Sequence, residues 1–191
     1  MIVKNLFISG VGGQGTILAG KVITRALIEH GFDVKMSEIH GMAQRGGSVV
    51  TQIRYGEKVY SPVIEKGKAD VLLAFEKLEA LRYIEYLSKE GTLIVNNLEI
   101  PPSTVLAGKE EYPQNIIEYI KNNIKNAIII DAVSKAKELG DVRVQNIILT
   151  GALAKVMSFE KEKFLSVIKE VVPEKYKEIN VRAFETGFEL V

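Results

Sequence analysis

Cysteine and tryptophan are absent from this 191-residue chain, histidine occurs twice, and neither sign of charge predominates. Each shortage excludes a class of chemistry. Without thiolates the chain forms no disulfide, no Cys-ligated zinc site, no cysteine nucleophile and no iron–sulfur cluster of its own. His30 and His40 are too few for a histidine-rich metal centre. Lys and Arg number 25 against 24 Asp and Glu, so the basic excess of a nucleic-acid binder is missing. No apolar run reaches the ~18 residues of a membrane span, and no basic-then-apolar leader opens the chain, so a cytoplasmic protein is expected. What is present is a core: 47% of positions are hydrophobic. A chain of this size buries roughly 70% of its unfolded surface without a metal or disulfide staple, so one domain over residues 1–191 is expected.

Short apolar blocks alternate with segments of helical period. Ile2 to Ile8 reads as a buried strand ending at Ser9-Gly10, and Ile17, Leu18, Val22, Ile23, Ala26 and Leu27 follow at helical spacing until Gly31. Strands are expected at 32–36, 70–75, 92–96 and 127–130, and helices at 77–88, 114–123, 133–139, 144–157, 161–171 and 174–188. Residues 49–55 and 58–63, flanking Gly56-Glu57, read as a β-hairpin. The expected fold is α/β, a Rossmann-like three-layer domain with a mostly parallel sheet, a β-hairpin insertion and a helical C-terminus.

Gly10-Val11-Gly12-Gly13-Gln14-Gly15 satisfies G-x-G-x-x-G between a strand and a helix. Glycines there permit a tight turn and close backbone approach, and the free N–H groups of the helix start attract an anion. The simplest ligand is NAD(P), with Glu38, about 20 residues on, holding the ribose. A Walker loop is excluded, because no Gly-Lys-Ser/Thr follows; a purely structural strand-to-helix turn is the other reading.

The segment His40 to Ser48 argues against a plain dinucleotide enzyme. It places His40, Gln44, Arg45, Gly46, Gly47 and Ser48 at the carboxyl end of a strand, where open α/β sheets bind ligands. Arg45 offers a planar fork for a carboxylate or phosphate, Gly46 and Gly47 a backbone anion nest, Gln44 and Ser48 neutral donors. A solvent loop with a charged tip is the alternative. Asp70 and Glu76 stand at element ends, where capping explains them, and Arg82 lies on a helix face; Asp131 ends the last strand or caps the next helix; Asn96 and Asn97 suit a turn or a ligand; Asn146 is an isolated polar position in an apolar helix; His30 reads as a cation at a helix C-terminus. No nucleophile elbow, carboxylate pair or metal-ligand cluster assembles from this inventory, so no catalytic residue is assigned.

Together, the glycine loop and Ser37-Glu38-Ile39-His40-Gly41-Met42-Ala43-Gln44-Arg45-Gly46-Gly47-Ser48 resemble the gamma-type domain of 2-oxoacid:ferredoxin oxidoreductases. The His-Gly-Met-x-Gln-Arg-Gly-Gly form is most similar to the small-subunit branch that acts with indolepyruvate. The likeness continues through 69–76, 79–82, Asn146 and 149–153, nearly the whole chain. It implies oxidative decarboxylation of a 2-oxoacid, an aryl pyruvate by likeness, with coenzyme A to acyl-CoA, carbon dioxide and reduced ferredoxin. It also implies that thiamine diphosphate, magnesium and iron–sulfur clusters sit in a large partner subunit, with ferredoxin reached through the complex. Gly10, Gly12, Gly13, Gln14 and Gly15 would form one interface or cofactor loop and His40, Gln44, Arg45, Gly46 and Gly47 another, with Arg45 drawing in an anionic substrate or a coenzyme A phosphate. Such a subunit is expected to self-associate when isolated, with the C-terminal helix around Ile179, Phe184 and Phe188 as one apolar candidate and packing within the chain as its alternative. A self-sufficient NAD(P)-dependent dehydrogenase and a non-enzymatic nucleotide-binding module remain as the other readings.

Overall fold

In the computed structural model, which describes residues 3–41 and 46–191, β1 (Lys4–Val11) is buried from Leu6 onward because both of its faces are covered. Helix α1 (Thr16–Glu29) returns along one face and buries Ala19, Gly20, Val22, Ile23, Ala26 and Leu27, the stripe its periodicity predicts. The chain continues through β2 (Asp33–His40), β3 (Ser48–Gly56), β4 (Ala69–Ala74), α2 (Lys77–Tyr83), β5 (Leu87–Asn96), the short α3 (Ser103–Leu106), α4 (Ile116–Asn123) and β6 (Ala127–Ile130). Helices α5 (Ala132–Leu139), α6 (Gln145–Val156), α7 (Lys161–Val171) and α8 (Lys177–Glu189) complete it. No helix among the described residues is long and apolar enough to cross a membrane.

The sheet order is β2-β3-β1-β4-β5-β6. β1, β4, β5 and β6 are mutually parallel, and β3 pairs antiparallel with both β1 and β2, so β3 alone runs against the rest. The α/β class and mostly parallel sheet are as expected, but the hairpin is not where the sequence pattern puts it. β3 pairs with β2, and residues 58–63 form no strand. Side chains occupy that segment's backbone instead. Val59 donates its N–H to Asp33 (2.9 Å), Ile64 donates to Gln52 Oε1 (2.6 Å), and Arg54 reaches the carbonyls of Ser61 and Val63. Insertion of β3 also takes the place beside β1 that the second strand fills in a dinucleotide-binding sheet.

Apolar residues pack in two layers. One, with α1, α6, α7 and α8, contains Ile8, Leu73, Phe75, Ile148, Phe164 and Phe184; the other, with α2 and α4, contains Phe7, Leu72, Leu93 and Ile120. Helix α6 is buried continuously from Asn146 to Ala154, so it is apolar on all sides rather than amphipathic. α8 lies against it at Gly151 and Gly187, with Phe184 fully buried and Ile179 and Phe188 partly buried on the same core. The C-terminal helix therefore spends its apolar face within the chain. His30, at the C-terminal end of α1, is packed inward: Nδ1 lies 2.6 Å from the Ala26 carbonyl, and Nε2 is buried without a hydrogen-bond partner among Phe32, Phe159 and Phe164.

Candidate functional site

The glycine loop is a tightly braced turn. Gly13 and Gly15 have φ of +102° and +79°, values that favour glycine, and Gly15 is the N-cap of α1. A Cβ at Gly10 would stand 2.7 Å from Thr16 Cγ2 and 3.0 Å from Phe75 Cβ; one at Gly15 would collide with the Asn146 amide. Gln14, expected to face a ligand or partner, is 7% exposed and turned inward. Its Oε1 accepts from the Val11 N–H at 2.7 Å and its Nε2 donates to the Phe75 carbonyl at 2.9 Å, tying the loop to the end of β4. No side chain caps α1, so the N–H groups of its first turn remain available to an anion.

The second loop meets the first. Gly12 donates its N–H to the Gly47 carbonyl at 2.9 Å, and Gly41 donates to the Ser48 carbonyl at 3.0 Å. Gly46 has φ +76°. Met42 to Arg45, including the expected contacts Gln44 and Arg45, lie outside the described residues. His40 is exposed at the end of β2, with Nε2 3.8 Å from Glu38 Oε2. Ser48 is not a free donor: its hydroxyl donates to Glu79 Oε2 at 2.5 Å and lies 3.0 Å from the Tyr83 hydroxyl. Glu38 is separated from β1 by β3, in register with Thr51, and its buried Oε1 and the Thr51 hydroxyl have no hydrogen-bond partner. The ribose contact of a dinucleotide site needs that acid on the strand adjoining β1, so this arrangement disfavours the NAD(P) reading.

Burial pushes the Glu79 carboxyl above its ordinary 4.5, against the lowering effects of the Ser48 hydrogen bond and Arg82, with Glu76 adding to the rise. A raised acid stabilises the fold fully below its unfolded pKa, and that contribution is lost as pH rises through the folded value. Glu79→Gln is therefore expected to flatten the pH dependence: as pH rises from 4.5 the melting temperature of the wild type should fall relative to that of the variant. Parallel melting curves across this range would show that Glu79 is not the titrating group.

The remaining polar candidates are structural. Asn96 is fully buried; it donates to the Phe75 carbonyl and to Gln145 Oε1 and accepts from the Ala132 N–H. Asp131 caps α5 through the Ser134 N–H and hydroxyl, which hold its carboxyl below the usual range. Glu76 caps α2 and also accepts from the Ile100 N–H and the Tyr112 hydroxyl. Asp70 binds Lys4 and the Asn5 N–H, and Arg82 pairs with Glu79.

Pattern reading missed a cavity of about 540 Å³ on the far side of the glycine loop. Gly13, Gly15 and Leu18 supply one wall, Val142 to Asn146 another, and Val172, Pro173, Tyr176 and Asn180 a third. Asn146 holds this wall to the loop by donating to the Gly15 carbonyl at 3.2 Å. Arg143 is paired with Asp141 through two nitrogens and lies 5.3 Å from the Tyr176 ring centroid. One signal was available: Asn180 falls on the Asn180, Ala183, Phe184, Gly187 stripe of α8, an amide on an otherwise apolar face.

Two joined glycine loops thus stand beside an uncapped helix start, on a sheet with one inserted antiparallel strand. The family model of pyruvate ferredoxin/flavodoxin oxidoreductases matches residues 5–190. The chain belongs to this family. Among curated relatives, the indolepyruvate oxidoreductase subunit IorB of Thermococcus kodakarensis is 40% identical over 190 residues, covering 96% of this chain and 93% of its own. That of Archaeoglobus fulgidus is 37% identical, covering 96% and 93%. Among solved structures, the gamma subunit of a keto/oxoacid ferredoxin oxidoreductase from Geobacter sulfurreducens superposes with a TM-score of 0.73 at 27% identity, covering 98% of this chain and 97% of that one. In this oxidoreductase family member the cysteine-free composition acquires a definite sense: its side chains do not fit an iron–sulfur cluster, since such clusters are held by thiolates.

Proposed function

We propose that this chain is the small subunit of a 2-oxoacid:ferredoxin oxidoreductase acting on aryl pyruvates, with residues 1–191 working as one gamma-type unit. The observation that carries the reading is the 40% identity to an indolepyruvate oxidoreductase subunit over nearly the full length of both chains. In the reaction, the C1–C2 bond of the 2-oxoacid breaks to release carbon dioxide. The acyl carbon forms a thioester with coenzyme A, and two electrons pass singly to oxidised ferredoxin. Thiamine diphosphate and magnesium supply the carbanion chemistry and iron–sulfur clusters the electron path, both in the large partner subunit. This chain contributes shape. Its joined loops, spanning Gly10 to Gly15 and His40 to Ser48, present backbone N–H groups and Arg45 to that partner and to an anionic substrate or coenzyme A phosphate.

The test is turnover of indolepyruvate, phenylpyruvate and pyruvate with coenzyme A and ferredoxin, by the chain alone and together with its large subunit. Activity is expected from the complex only, and Arg45→Ala is expected to raise the apparent KM for the 2-oxoacid or coenzyme A severalfold. Ferredoxin reduction by the isolated chain, or full activity of the large subunit without it, would overturn the assignment.

A further inference from the structure

Two buried oxygen atoms stand side by side on the sheet without partners. Glu38 on β2 is in register with Thr51 on β3, so the two side chains leave the same face. Glu38 Oε1 and Thr51 Oγ1 are both buried with no hydrogen-bond partner among the described residues, and Thr51 is fully buried. The helix above leaves room for them. α1 passes over the pair at Gly20, where a Cβ would stand 3.2 Å from Thr51 Cγ2 and 3.8 Å from Glu38 Oε1. A carboxylate oxygen and a hydroxyl are each costly to bury unpaired, so their placement calls for a small bridging species.

His40 narrows what that species is. It is the next residue of β2 on the same face, and its Nε2 lies 3.8 Å from Glu38 Oε2. That separation exceeds the about 2.7–3.2 Å of a hydrogen bond. It is close to the about 3.4 Å edge of a tetrahedron around a metal whose bonds to nitrogen and oxygen are about 2.1 Å. A bridging water would satisfy the two orphan oxygens but leave the charge of the carboxylate unbalanced and the imidazole out. A divalent cation engages all three groups. Imidazole with oxygen ligands suits zinc, whereas magnesium and calcium take oxygen alone.

We propose that Glu38, His40 and Thr51 form a site for a divalent cation of the zinc class, with the carboxylate and the imidazole as principal ligands and the Thr51 hydroxyl as the third. The fourth position is left to water. The bound ion ties the last residues of β2 to β3, one residue before Gly41, and supplies the charge that the buried Glu38 oxygen lacks. His30 takes no part, because its Nδ1 lies against the Ala26 carbonyl and its Nε2 is enclosed by phenylalanine rings.

The experiment uses the full chain, free of affinity tags, titrated with Zn²⁺ and separately with Mg²⁺ by calorimetry, while the imidazole resonances of both histidines are followed by NMR. Saturable, equimolar binding of Zn²⁺ in the micromolar range is expected, with no response to Mg²⁺. The His40 resonances should move and those of His30 should stay. Glu38→Gln and His40→Ala should each weaken Zn²⁺ binding by more than the about 10–100-fold that loss of an outer-shell partner costs, and Thr51→Val by about tenfold. Thr51→Val keeps the shape of the side chain and removes an unpaired buried hydroxyl, so it should also raise the melting temperature of the cation-free chain. Absence of Zn²⁺ binding, equal affinity for Mg²⁺, or movement of His30 in place of His40 would each overturn the proposal. Unaltered Zn²⁺ affinity in Thr51→Val would overturn it too, by leaving the ion on the exposed His40–Glu38 pair alone.

Discussion

Gly187→Ala is expected to cost about 3 kcal/mol of stability, the upper end of overpacking, and to lower the melting temperature by roughly 6–12 °C for a chain of this size. The added methyl would land on the Ile148 carbonyl, with the Ile148 carbonyl carbon at 2.6 Å and its Cα at 2.9 Å. These are backbone atoms of α6, which cannot rotate away as a side chain would, so α8 must move bodily. Gly151→Ala meets the reverse side of the same contact, colliding with the Phe184 carbonyl and standing 2.9 Å from the Phe188 nitrogen. The two helices approach this closely only because each presents a glycine to the other's backbone. Thermal denaturation of both variants checks this; a loss under 1 kcal/mol for Gly187→Ala would mean that the α6–α8 spacing is looser than described.

Gln14→Leu is expected to destabilise the chain by about 2–4 kcal/mol, since the Val11 N–H and the Phe75 carbonyl would both lose their partner in a buried setting. Leucine keeps the bulk, so the loss reports on hydrogen bonds rather than on a void. The expected functional effect is larger than the stability change alone. The Gly12 to Gly47 bond joins the two loops one residue from this brace, so loosening the brace should lower activity of the assembled complex at temperatures where the variant is still folded. Chemical denaturation and assays of the complex at one low temperature separate the two effects. Unchanged turnover in a folded variant would show that the brace serves stability alone.

Much of the fold was legible because burial imposes a period. Apolar blocks of β1, β4, β5 and β6 bounded by turn residues, and the 3.6-residue stripes of α1, α4, α7 and α8, are local signals that survive into the structure. The β-hairpin was misplaced for an equally physical reason. Residues 58–63 alternate like a strand, but their backbone is satisfied by Asp33, Gln52 and Arg54, and a side chain 26 residues away leaves no periodic trace. The capping roles of Asp131 and Glu76 were readable because a cap acts within a few residues. Gln14 was misjudged because a glutamine in a glycine loop suggests an outward donor, and only the position of the Phe75 carbonyl turns it inward.

By itself the sequence determined the class of the fold, the two glycine loops, the family resemblance and, through the absence of cysteine, that this chain ligates no iron–sulfur cluster. The tertiary structure decided which of those features meet. Inserting β3 between β1 and β2 removed Glu38 from a ribose position and brought Gly47 onto Gly12; close packing of α8 on α6 set Asn180 across a cavity from the start of α1. Pattern and composition report interactions among residues a few positions apart. Strand insertion brings Gly47 onto Gly12 and helix packing brings Gly187 onto Ile148, contacts between residues far apart in the chain, and the Asn146–Gly15 bond spans 131 positions; their outcome is set by which surfaces fit.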